Sequence, residues 1–261
     1  PMLDGACIAV VVPAHDEEHF IHRVLDTIPA YVDFIFVVDD ASSDHTFRVA
    51  QQHGDARVHI LRHAFNRGVG ASIATGYRLA LQANAHVVAV MAGDGQMDPD
   101  DLLAVLRPVV DGKADYVKGT RLSHEEAYRM PALRRLGTRV FGWATSQVVG
   151  YPLTDSQCGY TAISSNAIRK LDLHGLWPSF GYPNDLLFQL RMYDLRVAEV
   201  SVRPVYDKER SELKPRHAFV IACLIARGAW RIRLRSPSII RRHEPISHRH
   251  GEASAPNRNS E

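Results

Sequence analysis

Asp94 and Gln96, two positions apart around Gly95, are hard oxygen donors of the kind that hold a divalent cation against a diphosphate. They follow the apolar run Val87-Val88-Ala89-Val90-Met91-Ala92, so a strand there puts them at its mouth. Asp-Gly is equally the material of a tight turn, and the rest of the chain has to decide between the two readings. Polar clusters also follow other apolar runs, at Pro13-Ala14-His15-Asp16-Glu17, Asp39-Asp40-Ala41-Ser42, Asn66-Arg67-Gly68 and Gly119-Thr120-Arg121. Polar loops are ordinary, but this many in succession point to one shared cleft and, with the cation donors, to a nucleotide-linked donor.

Bringing those clusters together requires strands that all end on the same side. The β-branched runs predict strands over 7–12, 34–38, 57–61, 86–92 and 115–118. Between them lie helical patterns. One opens on Asp16, Glu17 and Glu18, acids suited to a helix N-terminus, with Phe20, Val24 and Ile28 at four-residue spacing. A second follows Asp44, placed to cap it; others cover about 71–83, after the glycine-punctuated turn Asn66-Arg67-Gly68-Val69-Gly70, and 100–110. Such alternation predicts the α/β class, a mostly parallel sheet with helices on both faces, because parallel strands need crossover helices. Ligands of such sheets bind beyond the carboxyl ends of the strands, where the polar clusters fall. The second half is less regular: a helix carrying Arg134, Arg135 and Arg139, a helix over 186–194 and a strand over 197–205.

With 261 residues, 46% of them hydrophobic, the chain can bury a full core, and its length fits one large domain over 1–215. Residues 216–235 read as a C-terminal helical extension and 236–261, rich in Arg, His, Ser, Asn and Pro, as a disordered tail. A net charge of only +2 excludes charge-driven nucleic-acid binding by the whole domain. Cys7, Cys158 and Cys223 are too few and too scattered for a disulfide framework or a zinc site, and no signal-peptide pattern follows Pro1-Met2. A reducing, cytoplasmic setting is expected. The oligomeric state is left open.

Val11-Val12-Pro13-Ala14-His15-Asp16-Glu17-Glu18, Val37-Val38-Asp39-Asp40-Ala41-Ser42-Ser43-Asp44, Asn66-Arg67-Gly68-Val69-Gly70 and Asp94-Gly95-Gln96 together resemble the family 2 glycosyltransferases with the Rossmann-like GT-A fold. They resemble most the dolichyl-phosphate mannose synthase branch, which glycosylates polyprenyl phosphates, over roughly residues 7 to 215. The resemblance implies that Pro13, Ala14 and Glu17 line a nucleoside pocket and that Arg67 also binds the nucleotide. It implies that Asp39 meets the base, since a carboxylate accepts the ring N–H of uracil or guanine. Asp40 is then a ribose ligand or a buried orienting group. Asp94 and Gln96 match the branch's Asp-x-Asp-x-Gln cation site, for Mg²⁺ or Mn²⁺ beside the diphosphate, except that Ala92 replaces the first acid. One acid, one amide and two phosphate oxygens still make a workable shell, so the resemblance implies a cation that binds well only with donor present.

On the acceptor side Arg121 takes the place of the family's Gly-Ser-Arg arginine, and Arg134 or Arg135 matches a further one. Guanidinium forks suit a phosphate. Arg210 and Lys214, with Tyr206 and Ser211, resemble a Tyr-Arg-x-x-x-Ser-x-Lys segment that Asp207-Lys208-Glu209 interrupts. Asp155 and Asp185 match acids of the family. If the acceptor is a hydroxyl, one of them must take its proton. A phosphate monoester, with a second pKa near ~6, needs no base. The implied activity is inverting transfer of a hexose from a UDP or GDP donor to a polyprenyl phosphate. The alternatives are a soluble transferase acting on a small-molecule or glycan hydroxyl and, more distantly, a non-catalytic nucleotide-sugar binder. The apolar run 218–226, followed by Arg227, Arg231, Arg233 and Arg235 around Trp230, is too short to span a bilayer, which takes roughly 20 residues. It fits a segment lying on an anionic cytoplasmic leaflet, a peripheral membrane contact, or else a core helix with arginines facing water.

Overall fold

The computed structural model describes residues 2–205 and 215–235. The element order is β1 (Ile8–Ala14), α1 (Ile21–Thr27), β2 (Phe34–Asp39), α2 (Thr46–Gln51), β3 (Val58–Arg62), α3 (Val69–Gln82), β4 (Val87–Val90), α4 (Leu102–Val110), β5 (Tyr116–Thr120), α5 (Ala132–Val149), β6 (Thr161–Ser164), α6 (Ser165–Ile168), α7 (Tyr182–Met192), β7 (Val197–Ser201) and α8 (Pro215–Arg235). The strands form one seven-stranded sheet in the order β3-β2-β1-β4-β6-β5-β7. β1 pairs in parallel with both β2 and β4, and β6 is the antiparallel member, between β4 and β5. The order reverses between β1 and β4. That reversal opens the crevice in which open α/β sheets take their ligands, and the mouths beside it carry Pro13–Glu17 and Ala92–Gln96.

β1 is apolar along its whole length because both of its faces are covered. Ile8, Val10 and Val12 enter one core layer with Ile21 and Leu25 of α1 and Leu102, Val105 and Leu106 of α4. Ala9 and Val11 enter the other, with Ile73, Ala74 and Tyr77 of α3 and Leu187 of α7. Helix α3 lies unusually close to the sheet. A Cβ on Gly76 would stand 2.2 Å from a methyl of Val11, so only glycine fits there.

The mostly parallel α/β sheet stands as expected, with local differences. α1 begins only at Ile21 and has no acid in its first turn, because Asp16 and Glu18 bind the opposite loop instead. Asp44 lies one residue ahead of the α2 N-cap, where it accepts from the Thr46 N–H. β7 stops at Ser201, short of the strand expected to 205. β6 and α6 carry no sequence signal; three buried residues and a half-buried one between turns show neither a 2-residue nor a 3.6-residue period.

Helix α8 packs against α5 and α7. Ile221, Leu224 and Gly228 are buried, and a Cβ on Gly228 would meet the Phe188 ring at 2.4 Å. One face of the apolar run therefore belongs to the core, while Phe219, Trp230 and Leu234 remain exposed. Arg210 and Lys214, like Tyr206, Ser211 and the tail 236–261, lie outside the described residues. No helix among the described residues is long and apolar enough to cross a membrane.

Candidate active site

Beyond the carboxyl ends of β1, β2 and β4 the cleft has two adjoining compartments. The first, of about 270 Å³, is lined by Ala14, His15, Glu17, Asp40, Asn66 and Ser72 among others. The second, of about 220 Å³, is lined by Gln96, Met97, Arg121, Arg134, Gln157 and Tyr160 among others. Pro13, Val69, Ala92, Asp94 and Phe180 line both and form the wall between them. Asp94 thus stands at the junction. Its Oδ1 accepts the Gln96 N–H at 3.0 Å, and Gly95 turns the chain at φ +70°, a conformation that favours glycine. Ala92, where the family pattern has an acid, gives its N–H to the sulfur of Met97 at 3.3 Å.

The loops around the first compartment brace one another. The Asp16 N–H donates to the Ser42 hydroxyl at 3.0 Å, and Asp16 Oδ1 accepts from the Ser43 N–H at 2.7 Å. The Glu17 N–H donates to the Thr46 hydroxyl at 2.7 Å, and a Glu18 oxygen accepts from the His45 N–H at 2.9 Å. Asp16 and Ala41 both hold positive φ, at +57°, strain that this bracing offsets.

The two neighbouring acids at the end of β2 differ. Asp40 is a loop anchor: it accepts the Arg67 N–H at 2.9 Å, the Gly68 N–H at 2.6 Å and a 2.7 Å contact from His63 Nδ1. These three contacts give it the orienting role of the two left open by the sequence, and it lines the first compartment as well. Asp39 has 0% exposure, and neither carboxylate oxygen accepts a hydrogen bond. The Arg62 Nε lies 3.0 Å from its Oδ2 as an ion pair without hydrogen-bond alignment. A buried carboxylate in that state still lacks a donor. Arg67 is not among the residues lining either compartment; its contribution is the backbone N–H given to Asp40.

In the second compartment Arg121 and Asp155 form a two-pronged ion pair, Nε to Oδ2 at 2.8 Å and Nη2 to Oδ1 at 3.2 Å. Burial alone raises the Asp155 pKa. The charge and hydrogen bonds of Arg121, the charge of Lys118 and the Gln157 N–H outweigh it and hold the group below the ordinary carboxylate value. Lys118 is itself fully buried, gives a hydrogen bond to the Cys158 carbonyl at 2.5 Å, and is pushed down by desolvation. Asp185 is buried in the first turn of α7, where its Oδ2 accepts the Trp177 N–H at 3.0 Å and pins the loop that carries Phe180. Neither acid lines the cleft. Each holds other groups in place, Asp155 the Arg121 guanidinium and Asp185 the Trp177 N–H.

Arg134, on α5, lines the second compartment and Arg135 does not. Arg203, Gln157, Tyr160, Phe180 and Tyr182 line it without having been singled out from the sequence. Gln157 and Tyr160 sit inside the segment already marked by Asp155; Arg203 and Phe180 carried no local signal. Among the described residues that line this compartment, Asp94 is the sole carboxylate, against the three arginines Arg121, Arg134 and Arg203.

The profile of glycosyl transferase family 2 matches residues 9–172. The UDP-N-acetylglucosamine–dolichyl-phosphate N-acetylglucosaminyltransferase of Methanococcus voltae is 26% identical over 217 residues, covering 77% of this chain and 86% of the relative. The undecaprenyl-phosphate mannosyltransferase of Micrococcus luteus is 27% identical over 235 residues, covering 85% and 93%. Among solved structures, glucosyl-3-phosphoglycerate synthase of Mycobacterium tuberculosis with Mn²⁺, UDP-glucose and phosphoglyceric acid superposes with a TM-score of 0.67. At 18% identity, over 87% of this chain and 81% of that one, it shares the fold.

Proposed function

The chain belongs to glycosyltransferase family 2, and from that premise we propose that it transfers a hexose, with inversion, from a UDP or GDP donor to a polyprenyl phosphate. The observation that carries this reading is the lining of the second compartment: among the described residues three arginines face it, and its one carboxylate is Asp94, which this reading assigns to the cation. An alcohol acceptor needs a base. A phosphate monoester is already anionic near neutral pH and needs only cations to hold it. Arg121, aligned by Asp155, and Arg134 are the groups for that phosphate. The names of the Methanococcus and Micrococcus relatives, both acting on polyprenyl phosphates, agree with it.

The donor nucleoside occupies the first compartment, against Pro13, Ala14 and Glu17; Asp39, assigned to the ring N–H of the base, lies buried beside Arg62 behind the lining residues, so a local shift has to bring the two together. The diphosphate lies along the wall at Asp94. Asp94 and Gln96 offer hard oxygens only, a donor set that fits Mg²⁺ or Mn²⁺ and leaves part of the shell to phosphate. When bound, that cation neutralises the charge gathering on the leaving nucleoside diphosphate. With acceptor and leaving group held in line on opposite sides of the anomeric carbon, a single displacement inverts it. An α-linked donor gives a β-linked product.

A lipid-linked acceptor is also supported by the surface beside the second compartment. Leu133, Leu136, Val140 and Trp143 form an exposed stripe along α5, and Phe219, Trp230 and Leu234 are exposed on α8. Neither helix contains an acid, and both carry arginines, the composition of a surface that lies on an anionic leaflet.

The test is a product assay with purified chain, Mn²⁺, UDP- and GDP-hexoses and three acceptors: a short-chain polyprenyl phosphate, a phosphorylated three-carbon acid and a glycan. The expected result is a solvent-extractable glycosyl phospholipid of β configuration. Transfer to the small acid or the glycan alone, or a retained α product, overturns the assignment.

A further inference from the structure

A cluster of metal-ligating side chains lies outside the residues lining the cleft. His22 and Asp26 sit one turn apart on α1, and His53 follows α2. His22 Nδ1 lies 2.9 Å from Asp26 Oδ2, and His53 Nε2 lies 3.0 Å from Asp26 Oδ1. One ligand atom from each residue lies within 4.8 Å of the other two. The two imidazole rings meet edge to face with centroids 5.2 Å apart. The His53 side chain is only 7% exposed, so its ring is fixed in place, whereas His22 and Asp26 are open to solvent at 62% and 54%.

We propose that His22, Asp26 and His53 bind a borderline transition-metal ion of the zinc class, one ligand atom from each, with water in the fourth position. The donor set decides the class of metal: two imidazole nitrogens and one carboxylate oxygen suit Zn²⁺ or its neighbours and are poor for Mg²⁺ and Mn²⁺. Asp94 and Gln96 make the opposite choice, with oxygen alone. Bonds of about 2.0–2.1 Å in a tetrahedral shell put neighbouring donors roughly 3.3 Å apart; the two short contacts use different oxygens of Asp26 and the one-atom-per-residue set spreads over as much as 4.8 Å, so the exposed His22 and Asp26 side chains have to turn to close the shell.

One feature limits the affinity. His53 Nδ1 accepts the Asp55 N–H at 3.3 Å, and metal at Nε2 leaves the ring proton on Nδ1, so that bond is given up. Micromolar rather than nanomolar binding follows. The ion ties α1 to the segment behind α2, and so joins the β-α units that present Pro13–Glu17 and Asp39–Ser42 to the donor compartment.

The test is a Co²⁺ titration of the full, tag-free chain without nucleotide, read by visible absorption and by Zn²⁺ competition. One equivalent is expected to bind with a dissociation constant of about 10 µM and the absorption of a four-coordinate site, displaced by Zn²⁺ and not by Mg²⁺. D94N keeps it. H22Q and D26N, at exposed side chains that leave folding untouched, each weaken it at least about tenfold. Absence of the band up to about 1 mM Co²⁺, its survival at full strength in both variants, or its loss in D94N overturns the proposal.

Discussion

On the donor side of the cleft nearly every tie runs from loop to loop: Asp16 to Ser43, Glu18 to His45, and Asp40 to Arg67 and Gly68. On the acceptor side the central tie runs from one arginine to one buried acid, Arg121 to Asp155, and the neighbouring helix α5 turns Leu133, Leu136, Val140 and Trp143 to solvent. The donor half uses the carboxylates of Asp16, Glu18 and the buried Asp40 to hold a fixed shape and leaves Asp39 without a hydrogen-bond donor. The acceptor half presents cations beside an apolar surface. A nucleotide of constant shape and a long lipid with a small charged head call for these two kinds of construction.

The contrast breaks most severely at the wall where the compartments meet. Asp94→Asn removes the one cation-binding acid, and transfer is expected to fall by about 10²–10³ with either nucleotide as donor, measured as kcat. Excess chelator should have a comparable effect. Next comes Arg121→Lys, which keeps the charge but loses the fork. An increase of roughly 10- to 100-fold in acceptor KM is expected, with donor KM little changed. The mirror-image change is Asp40→Asn, which disturbs the loop that Arg67 and Gly68 close; donor KM should rise, and stability fall by about 1–3 kcal/mol in urea melts, while acceptor KM stays near its starting value. Equal effects of these two variants on both KM values would erase the distinction between the halves.

Asp155 gives the comparison a pH signature. Its folded pKa lies below the ordinary value, so the stability it contributes is complete above the unfolded value of about 4 and is lost as pH falls through the folded one. Melting temperatures of the wild type should therefore drop through this acid range, and Asp155→Asn should flatten part of that limb after an initial loss of stability. The smallest effect is expected on the surface. Trp143→Glu should reduce binding to anionic vesicles severalfold in a flotation assay without lowering the melting temperature, because the ring is 66% exposed.

The sheet and its polar mouths were readable because parallel strands covered on both faces must be continuously apolar, as Ile8–Val12 and Phe34–Val38 are. The grouping of Pro13, Glu17 and Asp94 along one crevice followed from that topology. What failed to show were the long-range partnerships. Nothing local to Asp155 says that Arg121, 34 residues away, takes its carboxylate, and nothing near Asp40 distinguishes it from Asp39. Acids at adjacent positions look alike in sequence; their neighbours in space make one an anchor and leave the other unsatisfied. The stripe on α5 escaped for a different reason. Arg134, Arg135 and Arg139 drew attention to charge, whereas Leu133, Leu136, Val140 and Trp143 interleave with them at the spacing of an ordinary buried face.

The central claim is that the acceptor brings its own nucleophile and the arginines hold it. The most direct measurement is kcat/KM for a short-chain polyprenyl phosphate and for the corresponding free polyprenol, with the same donor and Mn²⁺, between about pH 5 and 8. The phosphate alone should be glycosylated, with a rate that rises through its second ionisation near ~6 and then levels. Comparable turnover of the free alcohol would contradict the account and call for a general base in the cleft.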